Sequence, residues 1–207
     1  MAKGYKCVTL PLVLRLIDKF PYSMDRDDEL CLIERIRDGD DALYGVLVNK
    51  YSQSILSIVR GIVRNSGDAQ EVAQDVFVKA FFSLKKFRGD SSFSTWLYRI
   101  AYNMSISRVR RKNIYVNVED VSTFVSDSDM DGGEGISEKE EKEGKFRILD
   151  QVINELNPSD RFLILSFYIH DKSIKEISEI TDISESNVKV RLHRIKRRLM
   201  LLVNNKD

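Results

Sequence analysis

Hydrophobic residues in the first half of the chain recur every three or four positions, the period of an α-helix with one buried face. The segment 27–37 shows this pattern at Leu30, Ile33 and Ile36. The segment 41–63 continues it over a longer series, at Leu43, Leu47, Tyr51, Ile55, Ile58 and Ile62. Strict alternation of apolar and polar residues, which is typical of strands, is almost absent. The pattern therefore predicts a helical domain from Asp27 to Lys112.

Polar and glycine-containing breaks at 37–41, 64–69 and 87–92 divide this domain into separate helices. Ser66 or Asp68 is expected to cap the helix after the second break, because a side-chain oxygen there can accept a free amide of the first turn. The third break leads into a helix that continues to Arg111.

A second set of helices follows residue 146. Pro158 suits the first turn of a helix, where Ser159 or Asp160 is expected to satisfy free amides. The segments 173–181 and 184–202 are then separated by the short turn "TDI". Two helices joined in this way form a helix-turn-helix pattern, in which the second helix can lie in a DNA major groove.

Residues 113–145 separate the two sets of helices. They are rich in Ser, Asp, Gly and Glu and bury too little apolar surface to order themselves. We therefore predict an all-α protein with a flexible acidic linker between two small helical domains. The predicted organisation is an N-terminal extension at 1–26, a first domain at 27–112, a linker at 113–145 and a second domain at 146–207.

Charge is unevenly distributed along the 207 residues, although the formal net charge is only +1. Residues 113–144 contain ten acidic residues against Lys139 and Lys142, whereas basic residues concentrate on both sides of this segment. Such segregation is expected of a protein whose two flanking domains meet a polyanion.

Two features near the start bear on location. The run "VTLPLVLRLI" is too short to span a bilayer and is interrupted by Pro11 and Arg15, so no membrane insertion is expected. Cys7 and Cys31 have neither metal-ligand spacing nor the numbers of a disulfide framework, which indicates reduced, simply buried cysteines and a cytoplasmic location. An acidic helix-starting pattern opens at Met24, and we interpret the residues before it as a non-native or mis-assigned extension.

The final helix has the pattern of a nucleic-acid surface. An apolar stripe recurs along it at Val188, Leu192, Ile195 and Leu199. The rest of the helix carries side chains that can reach base edges near its start and phosphates further along, at Ser186, Asn187, Lys189, Val190, Arg191, Arg194 and Arg197. A solvated basic face is the alternative. The turn, the capping Ser184 and the preceding amphipathic helix together favour DNA binding.

A second candidate surface follows one face of the helix that ends near Arg111. Its members are Trp96, Arg99, Asn103, Ser107 and Arg110. Such groups make a poor core but a good surface for single-stranded nucleic acid, because aromatic rings stack on bases and arginines follow the backbone. Trp96 is equally well explained as a core anchor. Arg99, Asn103 and Arg110 have no acidic residue one helical turn away, so ion pairing within the helix explains them poorly.

Two weaker features each admit two interpretations. In the loop 87–93, Gly89 permits a sharp backbone path and Ser91, Ser92 and Phe93 are available to an unstacked base. The same loop is also an ordinary helix connection capped by Ser94. The polar side of the helix 68–86 either binds a protein or is solvated.

Enzyme signatures are missing from the sequence. It has no phosphate-binding glycine loop and no metal-ligand cluster, and its two histidines, His170 and His193, are isolated. We expect neither catalysis nor a metal or cofactor.

Three motifs, "DAQEVAQDVFVKAF", "FRGDSSFSTWLYRIAYN" and "ISESNVKVRLHRIKRRL", resemble in order and spacing the extracytoplasmic-function (ECF) sigma factors of the sigma-70 family. The resemblance covers about 27–112 and 146–202. It implies a transcription initiation factor that binds the β and β′ subunits of core RNA polymerase. Its first domain would bind the β′ clamp helices and capture the melted minus-ten promoter element. The second domain would read the minus-thirty-five element as duplex, and an anti-sigma factor is the expected control.

The resemblance assigns residues to each contact. The polymerase-facing group is Glu71, Gln74, Asp75 and Lys79. The loop that accepts a flipped minus-ten base is Gly89, Asp90, Ser91, Ser92 and Phe93, and the residues that engage the adjacent strand are Trp96, Arg99, Asn103, Arg108, Arg110 and Arg111. In the second domain, the positions matching base and phosphate contacts are Lys189, Val190, Arg191 and Arg194.

The sequence departs from the family pattern in the turn of the helix-turn-helix. Thr181 and Asp182 stand where the family usually has an apolar residue and Gly, and Ser178 replaces a small Ala. Aspartate tolerates the left-handed backbone that such a turn needs. The alternative function is a stand-alone helix-turn-helix regulator, which would bind promoters without polymerase and would need a sensor or dimerisation module in the first half.

Overall fold

The computed structural model describes the backbone of residues 26–116, 153 and 155–204, and the side chains of residues 26–112, 153 and 155–201. All regular structure in these ranges is helical, which confirms the predicted all-α fold. Residues 113–116, predicted as the start of the linker, are helical in the structure. The N-terminal extension before residue 26 and the predicted linker from 117 to 145 lie outside the described residues, so the predictions for them remain predictions.

The first half folds as four α-helices with two short 3₁₀ turns between them. The elements are α1 (Arg26–Arg37), a 3₁₀ turn (Asp41–Leu43), α2 (Tyr44–Val63), α3 (Ser66–Ser83), a 3₁₀ turn (Leu84–Lys86) and α4 (Phe93–Val116). The predicted apolar series forms the core, since Ile33, Leu47, Ile55, Ile58 and Ile62 are all buried. Helical periodicity predicted these positions because burial of one face is what stabilises each helix.

Two helix caps lie one to three residues earlier than predicted. The Oδ1 atom of Asn65, not Ser66 or Asp68, accepts the Asp68 amide at 2.8 Å. The Oδ1 atom of Asn157 does the same for the Asp160 amide, also at 2.8 Å. A capping side chain belongs to the residue just before the first helical one and reaches forward three residues, so a side chain already inside the helix cannot take that role.

The second half contains α5 (Pro158–Tyr168), α6 (Ile174–Thr181) and α7 (Glu185–Asn204). The helix α6 and the helix α7 form the predicted helix-turn-helix. Asp182 has the left-handed conformation expected of this turn, with φ of 57°. The Ser178 hydroxyl donates to the Ile183 carbonyl at 2.6 Å and ties α6 to the turn.

The two halves pack directly on each other, α5 against α2 and α6 against α4. Phe162 and Ile180 of the second half are buried in the core cluster of the first. At Gly61 the helices approach so closely that an added Cβ would collide with Cδ1 of Leu165. The two helical domains, which the sequence predicts to be joined by a linker, are therefore also in direct contact with each other.

Two further predictions concern the compartment. Cys31 is half-buried on α1 and disulfide-bonded, so the expectation of reduced cysteines is wrong for this residue. The other cysteine, Cys7, lies outside the described residues. In the described part of the chain, no helix combines the length and the apolar character needed to cross a bilayer.

Candidate nucleic-acid interfaces

The start of α7 faces solvent because its opposite side is buried. Val188, Leu192 and Ile195 pack into a cluster with residues of α5 and α6, which sets the rotation of the helix. The side chains predicted to contact duplex DNA are consequently exposed, with the exception of Arg191; they are Ser186, Asn187, Lys189, Val190, Arg194 and Arg197. Val190 is 65% exposed, an apolar side chain placed among basic ones, as a contact with a thymine methyl group would require.

Arg191 lies at the edge of this surface and is held by the protein itself. Its Nε donates to Oδ1 of Asp160 at 3.0 Å, and Nη2 donates to the same oxygen. Asp160 is only 8% exposed, at the first turn of α5. The pair fixes α7 on α5, so Arg191 acts as a structural link in this conformation.

The predicted stripe along α4 also faces solvent for most of its length. Arg99, Asn103, Ser107 and Arg110 are exposed. Trp96 is half-buried, and its ring centroid lies 5.3 Å from that of Phe87 and 5.6 Å from that of Phe93. Much of the Trp96 ring therefore packs against the core, as the core-anchor interpretation predicts.

Arg108 belongs to a different environment from its neighbours Arg110 and Arg111. Its Nη2 donates to Oδ1 of Asp68 at 2.9 Å and to Oε2 of Glu71 at 2.6 Å, which joins α4 to α3. The hydrogen bond between Asp68 and Arg108 lowers the pKa of Asp68 and raises the pKa of Arg108. Two residues predicted to contact different partners, Arg108 and Glu71, thus contact each other.

The loop before α4 is only partly available to a base. Phe93 is 2% exposed, so its ring cannot receive an unstacked base and that part of the prediction is wrong. The Ser92 hydroxyl accepts the Thr95 amide at 3.1 Å, so Ser92 rather than Ser94 caps α4. Gly89 has a left-handed φ of 78°, a conformation that side chains rarely adopt. Asp90 is exposed and Ser91 is half-buried.

The polar side of α3 is solvent-facing and borders an apolar groove. Glu71, Gln74, Asp75 and Lys79 are all exposed. The groove has a volume of about 350 Å³ and is lined by Asp41, Tyr44, Gly45, Phe77, Val78, Phe81 and Phe82. Phe82 is 80% exposed. Sequence reasoning missed this groove, although two consecutive phenylalanines on one helix cannot both point into the same core.

Metal chemistry has no evident centre in this part of the chain. Across the described residues, no three His, Cys, Asp or Glu side chains come together in a way that could hold an ion.

Comparison with known proteins shows two family regions in the chain. The model described as "Sigma-70 region 2" matches residues 47–114, and the model described as "Sigma-70, region 4" matches residues 146–199. The RNA polymerase sigma-H factor of Pseudomonas aeruginosa is 31% identical over 181 residues, covering 84% of this chain and 92% of the relative. The ECF RNA polymerase sigma-E factor of Escherichia coli is 32% identical over 170 residues, covering 80% and 88%.

Solved structures share the fold at lower identity. The structure of CnrH in complex with the cytosolic domain of CnrY matches with a TM-score of 0.62 and 20% identity, over 85% of this chain and 97% of that chain. The sigma factor RpoE in complex with the anti-sigma factor NepR from Bartonella quintana has the same TM-score with 18% identity, over 76% and 94%. The region 2 match in the first half overturns the alternative of a stand-alone regulator, which needed a sensor or dimerisation module there.

Proposed function

The chain belongs to the ECF group of sigma-70 family RNA polymerase sigma factors, and on this premise we propose which of its surfaces meet promoter DNA and polymerase. As a sigma factor, it directs core RNA polymerase to specific promoters and initiates transcription by promoter recognition and melting. The proposed division of labour is a first domain at 27–112 for polymerase and the minus-ten element, a linker within 113–145 after the end of α4 at Val116, and a second domain at 146–207 for the minus-thirty-five element.

The single observation that carries this assignment is the orientation of α7. Burial of Val188, Leu192 and Ile195 forces the start of the helix outwards directly after the turn at Asp182. A recognition helix in a major groove uses the side chains nearest its start to reach base edges. The exposed side chains near the start of α7 are those of Ser186, Asn187, Lys189, Val190 and Arg194. Arg197 lies further along the helix, where it would contact phosphate.

For the minus-ten element we assign the exposed side chains of α4 and the accessible part of the preceding loop. Arg99, Asn103, Arg110 and Arg111 would follow the strand backbone, and residues 89–92 would receive the flipped base. Phe93 and Arg108 are assigned instead to the structure that holds this surface, because the first is buried and the second is paired with acids of α3.

For polymerase we assign the exposed polar side of α3 together with the adjoining groove. Glu71, Gln74, Asp75 and Lys79 supply charge and hydrogen bonds, and the groove supplies apolar contact area. Protein interfaces commonly combine a buried apolar centre with a polar rim, and aromatic side chains are enriched at the centre. Phe82 is the most exposed aromatic side chain here and is the natural anchor.

Three coarser features complete the proposal. The protein would act where polymerase and DNA are, in the cytoplasm, and would work through binding rather than catalysis. An anti-sigma factor is a proposed partner, because the solved neighbours of similar fold include a sigma factor in complex with the anti-sigma factor NepR.

The decisive test is transcription with purified core polymerase on templates carrying randomised promoters, followed by sequencing of the transcript starts. We expect a discrete set of start sites that core polymerase alone does not produce, preceded by two shared sequence elements. Transcripts no more numerous or better defined than those of core alone would exclude these surface assignments.

The role of the α4 stripe is tested separately with an Arg99→Ala, Asn103→Ala double variant. We expect polymerase association to persist while promoter opening, measured by permanganate reactivity of unpaired thymines, is lost. Arg60→Ala is the matched control, since Arg60 is an exposed arginine on α2 outside the assigned surface. Permanganate reactivity that survives in the double variant would remove Arg99 and Asn103 from the assignment.

A further inference from the structure

The two surfaces assigned to DNA contact each other in this structure. Arg99 Nη2 lies 2.8 Å from Oδ1 and 2.6 Å from Oδ2 of Asp182. Arg99 belongs to the minus-ten surface on α4, and Asp182 is the turn residue of the helix-turn-helix. Arg99, which is assigned to the melted strand, is thus paired with a carboxylate of the helix-turn-helix.

This arrangement conflicts with the spacing of a promoter. Elements centred ten and thirty-five base pairs upstream are separated by about 25 base pairs, or ~85 Å at 3.4 Å per pair. The turn at Asp182 immediately precedes α7, which is assigned to the upstream element. A chain in which this turn is in hydrogen-bond contact with the minus-ten surface cannot occupy both elements at once.

Apolar contacts and a polar network hold the closed arrangement. The Gly61–Leu165 approach brings α2 and α5 together, and the rings of Tyr102 and Phe162 lie 4.6 Å apart at the same interface. Between α4 and α6, the Thr95 hydroxyl donates to Oε1 of Glu176 at 3.2 Å. The Lys172 ammonium group donates to the Ser94 hydroxyl at 2.8 Å.

A buried charge at the same interface opposes closure. Arg161, on α5, is 3% exposed and donates from Nη2 to the Ile62 carbonyl at 3.0 Å. Its Nε and Nη1 atoms are buried with no hydrogen-bond partner among the described residues. A buried guanidinium with unsatisfied donors is costly, and separating α5 from α2 would return it to water. The apolar contacts therefore stabilise the closed arrangement, and the buried Arg161 guanidinium destabilises it.

We propose that the packing of α5 and α6 on α2 and α4 is an autoinhibitory contact in which Asp182 latches Arg99, and that the chain must open before it binds a promoter. Glycine fits a left-handed turn position at less cost than aspartate. Asp182 occupies this position despite that cost, and its carboxylate is the group that pairs with Arg99. The inhibitory role rests on the proposed function of Arg99, whereas the closed arrangement itself does not.

Closure is tested by small-angle X-ray scattering of the full chain without polymerase or DNA. In Gly61→Gln the new side chain occupies the space of the Leu165 side chain, which must turn aside or be pushed away together with α5, and we expect a larger radius of gyration than in the wild-type protein. Gly45→Gln is the matched control: it makes the same change in the same helix, at a glycine with nothing within 4 Å of an added Cβ. The control should scatter like the wild-type protein.

Inhibition is tested by binding of a fluorescent 12-nucleotide single strand taken from the minus-ten region selected in the transcription experiment. Asp182→Asn keeps the size of the side chain and tolerates the left-handed turn but removes the charge. Because exposed ion pairs are weak, we expect the affinity to rise about two- to fivefold. Gly61→Gln should raise it further, to about tenfold if the open form is about 10% populated in the wild-type protein.

The outcomes separate the two proposals. If Gly61→Gln, Gly45→Gln and the wild-type protein scatter equally, a radius of gyration larger than the closed arrangement gives would overturn the closed form, whereas a radius that matches it would confirm the closed form with Leu165 turned aside. An expanded Gly61→Gln variant whose strand affinity equals that of the wild-type protein would overturn the inhibitory role. If adding Arg99→Ala to the expanded variant lowers its affinity for the single strand, the result supports both the inhibitory role and the assigned function of Arg99. Unchanged affinity there removes the assigned function of Arg99, and the inhibitory role with it, while closure stands.

Discussion

At the scale of single residues, the fold separates arginines that look alike in the sequence. Arg110 and Arg194 point into solvent, whereas Arg108 and Arg191 are paired with carboxylates of a neighbouring helix. The face of the helix on which an arginine lies decides whether it is paired, because a side chain next to a packed helix meets acids from elsewhere in the chain. The paired arginines hold the surfaces in place and the exposed ones are free to meet phosphates.

Replacing Arg108 therefore affects stability before it affects DNA binding. Arg108→Ala removes two partly exposed ion pairs between α4 and α3. We expect it to lower the free energy of unfolding by about 1 kcal/mol, which corresponds to a melting temperature lower by ~2–4 °C. Arg111→Ala, an exposed neighbour, should leave the melting temperature unchanged. Thermal denaturation followed by circular dichroism gives the comparison, and equal melting curves would contradict the structural role of Arg108.

Lys189 and Arg191 give the corresponding contrast on α7. Lys189→Ala should leave stability unchanged and reduce the salt dependence of duplex binding by about one unit of log–log slope, the loss of one phosphate contact. Arg191→Ala leaves the nearly buried Asp160 without this partner, at a cost of about 1–3 kcal/mol in unfolding free energy. Binding titrations across a salt series and thermal denaturation distinguish the two. Identical stability losses in the two variants would contradict the assignment.

At the scale of elements, the junction after α5 is the most closely connected part of the domain interface. His170 follows α5, with Nδ1 3.1 Å from the Tyr98 hydroxyl of α4 and Nε2 3.5 Å from the Ser57 hydroxyl of α2. Burial lowers the pKa of His170, and the Lys172 charge adds to this, while Asp171 acts in the opposite direction. The closed arrangement thus favours a neutral imidazole.

Closure should weaken as the pH falls. Opening exposes His170 and returns its pKa towards about 6.5, so the open form binds the proton more readily. The stabilisation is present above that value and is lost as the pH falls below it, towards the lowered pKa of the closed form. Scattering measured from pH 7.5 to 5.5 should show expansion in this window. A His170→Gln variant with the same pH response would contradict the role of the imidazole.

Two neighbouring interface groups titrate outside this window. Burial raises the pKa of Tyr98 to about 12, with Glu176 acting in the same direction and a bond to Ser54 opposing it. Burial tends to raise the pKa of Glu176, but bonds to Ser173 and the nearby Lys172 outweigh it, so this pKa is lowered overall. Tyr98 therefore titrates above the window and Glu176 below it.

At the scale of the whole molecule, two helical domains share one interface whose strength sets how readily they part. Phe162 and Ile180 extend the core of the first domain into the second. Arg161 works against this apolar gain, since burial lowers its pKa to about 10 and Arg64 adds to the effect. A sigma factor that contacts two promoter elements, as proposed above, would benefit from an interface that closes without becoming permanent.

Removing the buried charge should make closure harder to reverse. Arg161→Met keeps the bulk of the side chain, and even a buried ion pair can often be replaced by well-packed apolar groups with no loss of stability or with a gain of about 1–4 kcal/mol. We expect a higher melting temperature together with lower transcript yield in the polymerase assay. Arg60→Met, an exposed arginine on α2, serves as the control and should change neither. A lower melting temperature for Arg161→Met would show that its bond to the Ile62 carbonyl outweighs the buried charge.

The spacing of hydrophobic residues within each segment determined the helices, most of their buried faces and the outward face of α7. These follow from periodicity, which each segment carries within itself, so Ile55, Ile58, Val188 and Ile195 could be predicted as core from the sequence. The family motifs likewise lie in short continuous segments, and the family they indicated is confirmed. The caps at Asn65 and Asn157 were missed by a residue or more, because helix boundaries depend on small differences among neighbouring polar residues.

Tertiary structure alone decided which charged residues pair and how the two domains meet. The contacts Arg99–Asp182, Arg108–Asp68 and Arg191–Asp160 join residues 31 to 83 positions apart, beyond the reach of any helical period. The burial of Phe93 and the close approach at Gly61 depend in the same way on what packs opposite. A sequence specifies the faces that each helix can offer, but which faces meet is settled by packing the whole chain at once.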